Sequence, residues 1–264
     1  MLTDYSQIYA ETVKTYKEQV SDKFAVEDFK EYNEILFSYH SCAIEGNSFS
    51  VDDTRALKEQ GLGMIPNNKP LVEAFELLDH FRAYEEMVNT LGEPLTEDYI
   101  KHLHFLLTEH TIAYRHPGAK PGEYTDVDMA AGNTMFGDHE VLIAQVPRLL
   151  ESTEKVLTSD IPIMDIAARF HAFFEYLHPF RDGNGRLGRL LANKLLLQAG
   201  QPLLIIPLEA SDEYINCLKL FRTDTQEHLI QFFYKVSVLR MQSEIEQKKN
   251  MTDNFTRGFD FLKK

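Results

Sequence analysis

Residues 178–189 read His-Pro-Phe-Arg-Asp-Gly-Asn-Gly-Arg-Leu-Gly-Arg, and their side chains could do chemistry together. His178 can take a proton near neutral pH. Asp182 is a lone carboxylate among cations and glycines. Gly183 and Gly185 let the backbone bend and turn its N–H groups toward an anion. Arg186 and Arg189 are three apart, so both guanidinium groups project from one helix face. A single acid beside a phosphate cradle calls for a hard cation, most often magnesium. The stretch thus offers a base, a metal ligand, an anion cradle and two phosphate clamps. Together these describe a nucleotide-phosphate site with a proton acceptor.

Two helices must position these groups. Upstream, Ile163, Ile166, Ala167, Phe170, Phe174 and Leu177 recur at helical spacing. Ser159 or Asp160 is the expected cap of that helix, with Pro162 in its first turn. Pro179 cannot continue it, because it lacks an N–H and clashes with the preceding turn. His178 therefore falls at a helix end. Downstream, Leu187, Leu190, Leu191 and Leu195 mark a second helix starting at Asn184 or Gly185. Its positive dipole end adds to the anion pocket. His171, seven residues before His178, is expected to pack near the site.

The stretch fits H-x-F-x-[D/E]-G-N-G-R-x-x-R at every specified position and resembles the Fic family of nucleotidyl transferases. The resemblance implies a mainly α fold, a Fic-like helical bundle with a small β-hairpin flap. It implies transfer of AMP from ATP to a Ser, Thr or Tyr hydroxyl of a target protein. His178 would be the general base. Asp182 would hold Mg²⁺, or Mn²⁺ in its place. The backbone of Gly183, Asn184 and Gly185 would bind phosphate oxygens, Arg186 the β-phosphate and Arg189 the γ-phosphate.

A second segment bears on the first. Ser41, Ile44 and Glu45 share a helix face, and Gly46-Asn47 are stop signals. Glu45 then lies at a helix C-terminus, where a carboxylate is unfavourable unless a cation faces it. Ser41 to Gly46 fits [S/T]-x-x-x-E-[G/N], which resembles the inhibitory helix of some Fic proteins. There the glutamate pairs with the second motif arginine, here Arg189. A bidentate pair would satisfy both groups. The neighbouring His40 reads as structural.

Along the rest of the chain, residues 3–39 read as two helices broken near Ser21-Asp22. Asp52 or Asp53 is expected to cap a helix toward Gln60. Residues 61–70 form a loop, and 71–90 an amphipathic helix. Gly92-Glu93-Pro94 marks a boundary, after which Thr96 starts another helix. His102, His104 and His110 lack the i, i+4 pairing of a metal site and read as core or surface. From Tyr114 to Pro147 turn signals crowd together, with the Gly132-Asn133 pair between loosely alternating residues. This region reads as a hairpin, and the family resemblance makes it a flap over about 122–145 on which the target protein docks by strand addition. Glu209–Leu220 and Thr225–Ile245 read as the last helices. The expected organisation is an N-terminal helical region over 1–92, with its inhibitory helix at about 33–46. A Fic core over 93–245 and a C-terminal tail over 246–264 follow.

Composition narrows the class. The 264 residues are 44% hydrophobic and 26% charged, with net charge −14. Such a surface repels nucleic acid and anionic membranes, so neither is an expected partner. Cys42 and Cys217 give no disulfide framework. No segment is apolar enough to span a bilayer and the N-terminus does not read as a signal peptide, so a cytoplasmic location is expected. The expected function is an ATP-using, magnesium-dependent protein adenylyltransferase autoinhibited by Glu45, with homo-oligomerisation left open. The alternatives are a hydrolase that removes AMP through the same site, and a nucleotide-binding regulator of low turnover.

Overall fold

The computed structural model describes residues 4–131, 134–222 and 226–261; the side chains of 131, 134 and 253–261 are not among those described. Twelve α-helices are found among these residues: α1 (Tyr5–Gln19), α2 (Val26–Ile44), α3 (Val51–Gln60), α4 (Leu71–Asn89), α5 (Glu97–Thr108), α6 (Ile112–Arg115), α7 (His139–Ile143), α8 (Val146–Val156), α9 (Ile163–Leu177), α10 (Asn184–Gln198), α11 (Ser211–Phe221) and α12 (Glu227–Phe261). The one sheet described pairs β1 (Ala130–Ala131) with β2 (Thr134–Met135), antiparallel, Ala130 opposite Met135. The mainly α architecture with a small hairpin is therefore as expected. The hairpin's expected Gly132-Asn133 turn lies outside the described residues.

Helix α10 is the axis. Twelve of its fifteen residues are buried, so it is enclosed on all sides rather than amphipathic. It packs along α9 and also meets α2, α4 and α5. Its far half is pinned by polar groups. Asn193 Nδ2 donates to Leu204 O (2.9 Å) and Leu204 N donates to Asn193 Oδ1 (2.7 Å), which fastens the extended run 203–206. Lys194 Nζ donates to Thr90 O at the end of α4 (2.6 Å). Around this axis one hydrophobic core runs from Tyr9 on α1 to Met241 on α12. A smaller cluster, Cys42, Phe49, Leu57, Ala74, Leu77 and Phe81, lies between α2, α3 and α4. His40 Nδ1 accepts from Leu208 N (3.1 Å), a structural contact.

Several local expectations are corrected. The cap of α3 is Ser50, whose hydroxyl accepts from Asp53 N (3.1 Å) while Asp53 Oδ2 accepts from Ser50 N (3.0 Å). Asp53 is the partner in a capping box rather than the cap. Helix α9 has Pro162 at its N-cap and no side-chain cap, so neither Ser159 nor Asp160 serves. The last helix does not stop at Ile245 but continues to Phe261, so most of the expected tail is helical. Its start at Thr225 lies outside the described residues.

Candidate active site

The loop between α9 and α10 is held in one conformation from both sides. His178 caps α9 with φ 45 and ψ 55, the left-handed region, and its N–H reaches Phe174 O (3.0 Å). It is the only non-glycine among the described residues with positive φ. Such a conformation costs on the order of 1–3 kcal/mol and persists only where the surroundings impose it. Asn184 imposes part of it: its Oδ1 accepts from Phe180 N (3.0 Å) and its Nδ2 donates to Phe180 O (2.7 Å). Phe180 is fully buried and stacks on His104, ring centroids 3.8 Å apart. His104 Nδ1 accepts from Gly122 N (2.9 Å), so its Nε2–H donates to Asp182 O (3.0 Å). Burial holds this imidazole neutral, its pKa down to about 4 against the pull of the Asp182 carbonyl. His104 therefore ties the base of the flap to the motif loop. Its mid-helix position gave no sign of that role. His102 pairs with Glu86 and His110 with Asp79, so the three histidines share no site.

Two carboxylate–arginine pairs flank the start of α10. On the α4 side, Arg186 faces Glu76 Oε1 through Nη1 and Asp182 Oδ1 through Nη2 (3.2 Å). Glu76 Oε2 also meets Arg115 Nη2 (3.2 Å) and accepts from Asn47 Nδ2 (2.9 Å). Arg186 and Glu76 are both fully buried. Glu76 was overlooked in sequence, because an acid among the apolar residues of α4 reads as its solvent face. Burial opposes ionisation of Asp182, but Arg186 and the Gly183 N–H outweigh it and hold the carboxyl below its usual range. Asp182 Oδ1 takes the Gly183 N–H (2.6 Å), while Oδ2 is buried without a hydrogen-bond partner.

On the α2 side, Glu45 is the C-cap residue of α2. Its Oε1 accepts from Arg189 Nη2 (2.8 Å). Arg189 also donates from Nε to Ser41 Oγ (3.0 Å) and from Nη2 to Ser41 O (2.7 Å). The expected bidentate pair is thus not formed: Ser41 takes the Nε side of the fork and Glu45 receives one hydrogen bond. The carboxylate lies over the first turn of α10, where a Cβ on Gly185 would collide with Glu45 Oε1. A larger residue at 185 would have to displace that carboxylate. The first amides of a helix have no intrahelical acceptor. Glu45 thereby places negative charge at the end of α10 where a phosphate would be favoured.

His178 completes the site. Its ring stacks on Phe136 of the flap, centroids 4.2 Å apart, and Phe136 in turn lies under Arg222. Burial lowers its pKa to about 4, against the pull of the Glu175 carbonyl. The imidazole is therefore neutral at physiological pH, the form that accepts a proton. His171 is buried beside it, Nε2 2.6 Å from Tyr214 OH. Among the described residues the group with metal-donor spacing is Asp128, Asp138 and His139 at the flap's base; the two acids are exposed.

The Fic/DOC family model matches residues 94–196. Protein adenylyltransferase Fic of Nematostella vectensis is 32% identical over 194 residues, which is 68% of this chain and 41% of that protein. Protein adenylyltransferase fic-1 of Caenorhabditis elegans is 27% identical over 229 residues, 85% of this chain and 44% of that protein. The chain thus spans less than half the length of these relatives. Among solved structures, a Fic domain containing signaling protein from Bacteroides thetaiotaomicron shares the fold. It has TM-score 0.77 and 22% identity, covering 94% of this chain and 97% of that one.

Proposed function

Because the chain belongs to the Fic/DOC family, we propose that it is a protein adenylyltransferase that Glu45 holds in an inhibited state. The reaction moves AMP from ATP to a Ser, Thr or Tyr hydroxyl of a target protein. The names of the relatives support the chemistry. The observation that carries the regulated form of it is the Glu45 carboxylate, seated on the first turn of α10 and bonded to Arg189.

In the active state His178 takes the proton of the target hydroxyl. Its Nδ1 is enclosed, so the accepting atom is Nε2. The hydroxyl oxygen bonds to the α-phosphorus, the bond to the β-phosphate oxygen breaks, and pyrophosphate leaves. The Gly183 amide is engaged by Asp182, so the cradle rests on the amides of Asn184 and Gly185 and on the dipole of α10. Arg189, once released by Glu45, binds the γ-phosphate and sets the α-phosphate in line. Arg186 is enclosed between two carboxylates, and its task here is to hold Asp182 rather than to touch the β-phosphate. Asp182 fits a hard cation, since its Oδ2 is buried without a hydrogen bond, with Arg115 and His116 no nearer than 3.9 Å. When bound, Mg²⁺ or Mn²⁺ would neutralise charge on the phosphates.

The target would dock on the flap, where the two-residue strand β2 ends at Met135, 82% exposed. Strand addition would bring its backbone there without demanding one sequence. A hydrolase reading also has a supporting observation: Glu45 Oε1 accepts the one hydrogen bond described for that carboxylate, which leaves Oε2 able to orient a water. A time course with pre-modified target separates the two directions.

The test of the transferase reading is His178→Ala, assayed in a Glu45→Gly background. A positioned base contributes about 10²–10⁴-fold. Labelled AMP incorporation should fall by that factor while ATP binding, measured by calorimetry, is retained. Asp182→Ala should abolish both transfer and its metal dependence. Transfer at an undiminished rate by the His178 variant, or in excess chelator, would refute the assignments.

A further inference from the structure

Glu175 is a buried acid that the mechanism above leaves unused. It lies on the last turn of α9, three residues before His178, and its Oε2 is 4.0 Å from His178 Nδ1. Its Oε1 is buried and makes no hydrogen bond, and the facing His178 Nδ1 and His171 Nδ1 are in the same condition. The space around it is set by α10. A Cβ on Gly188 would lie 3.0 Å from Glu175 Oε1 and 2.8 Å from His171 Nδ1. A glycine at an unspecified position of the motif therefore makes room for this carboxyl.

A buried carboxyl costs several kcal/mol unless something compensates it. What lies opposite is a histidine that must become a cation. When His178 accepts the target's proton it turns into an imidazolium in surroundings that hold the free ring neutral. The Glu175 carbonyl already draws the ring, but only a carboxylate at Nδ1 adds the full negative charge a cation calls for, and stabilising developing charge with a preset group is the main device of such sites. A shift of about 1 Å brings Oε2 to hydrogen-bond distance of Nδ1. We propose that Glu175 is a positioning residue that holds the His178 ring through Nδ1 and stabilises its imidazolium during AMP transfer. This rests on the transferase reading above.

The charges facing Glu175 make the pair responsive to the inhibitor. Burial and then Glu45 push its carboxyl up to about 7, while Arg189 and Arg222 pull the other way. Neutral His171 faces it from α9, and Tyr214 lies across from α11. Glu45 would act twice, by occupying Arg189 and by favouring the protonated, ineffective form of Glu175. Removing Glu45 lets Glu175 ionise at lower pH.

The experiment compares Glu45→Gly with Glu45→Gly/Glu175→Gln, measuring kcat for AMP transfer against pH from 5 to 8.5 and ATP affinity by calorimetry. Glutamine keeps the shape and cannot carry the charge. The expected result is a loss of kcat of roughly tenfold to a hundredfold, unchanged ATP affinity, and disappearance of the acidic limb that Glu175 gives the parent. An unchanged kcat, or a reduced kcat with the acidic limb intact, overturns the proposal. So does a parallel loss of ATP affinity, which would mark Glu175 as a packing residue. Gly188→Ala in the same background, which pushes on the same carboxyl, should lower kcat likewise. If Glu45→Gly itself transfers no AMP to any protein, the transferase reading fails instead, so the two failures are distinguishable.

Discussion

Arg186 and Arg189 sit one turn apart on the same buried helix, and both answer a carboxylate from another helix. The pairs nevertheless differ in kind. Glu76 and Arg186 have side-chain exposures of 0% and 1%; a second arginine and an asparagine meet Glu76 Oε2, and Asp182 meets Arg186 Nη2. Arg189 is 4% exposed but its partner Glu45 is 35% exposed, at the end of a helix whose dipole disfavours an anion. Ser41, through its hydroxyl and carbonyl, would still hold Arg189 if Glu45 left. The first pair is a permanent strut for Asp182. In the proposed function the second is the exchangeable one, with a phosphate taking the place of Glu45.

Breaking the strut should have the largest effect on stability. Removing one partner of a buried pair leaves an uncompensated charge and costs about 3–5 kcal/mol. Glu76→Ala is expected to lower unfolding free energy by that amount in urea titration. A loss below about 1 kcal/mol would show that the α4 side is as dispensable as the α2 side.

Acid should attack both sides through the buried histidines. His80, beside Ser38 on α2, and His104 belong to the neighbourhood of Arg186; His171 and His178 lie toward Arg189. Burial lowers all four: His104 and His178 to about 4, His171 to about 3, and His80 well below its ordinary value, with the two arginines adding to it. The unfolded chain takes up these protons below about pH 6.5, whereas the native state resists them down to about 4. Stability is therefore present above pH 6.5 and lost as pH falls through that window, by up to about 1.4 kcal/mol per pH unit for each histidine. Glu175, Glu34 and Asp79, whose carboxyls burial raises, act in the opposite sense and offset part of it. Chemical denaturation at pH 7, 6 and 5 should show a falling free energy, and a flat or rising trend would contradict these assignments.

The smallest effect should come from the exchangeable pair. Partly exposed ion pairs contribute about 0–1 kcal/mol, so Glu45→Gly should change stability by no more than that. A loss comparable to that of Glu76→Ala would mean that Glu45 is a strut as well.

How much of this was legible in sequence follows the range of each interaction. The motif loop, the two helices around it and the helix stop at Glu45 are set by local signals: proline, glycine and the 3.6-residue period. Ser41 and Glu45 could be connected to Arg189 only through the family resemblance. Glu76 was invisible because its partners lie 39 and 110 residues away, at Arg115 and Arg186. His104 was equally hidden, since a histidine inside an amphipathic helix carries no mark of a carbonyl 78 residues on. Phe136 was readable as a flap residue but not as a ring stacked on His178. The extension of α12 to Phe261 was missed because the tail is mostly polar and carries no sustained apolar helical period.

The most direct test of the exchangeable pair is labelled AMP incorporation by wild type, Glu45→Gly and Glu45→Gly/Arg189→Ala at equal ATP. Misplacing a reacting atom by about an ångström costs on the order of 10²-fold, so Glu45→Gly should label by about that factor more than wild type. The double variant should fall back toward the wild-type level, having lost the γ-phosphate clamp with the inhibitor. Equal labelling by wild type and Glu45→Gly, or strong labelling by the double variant, would contradict the account.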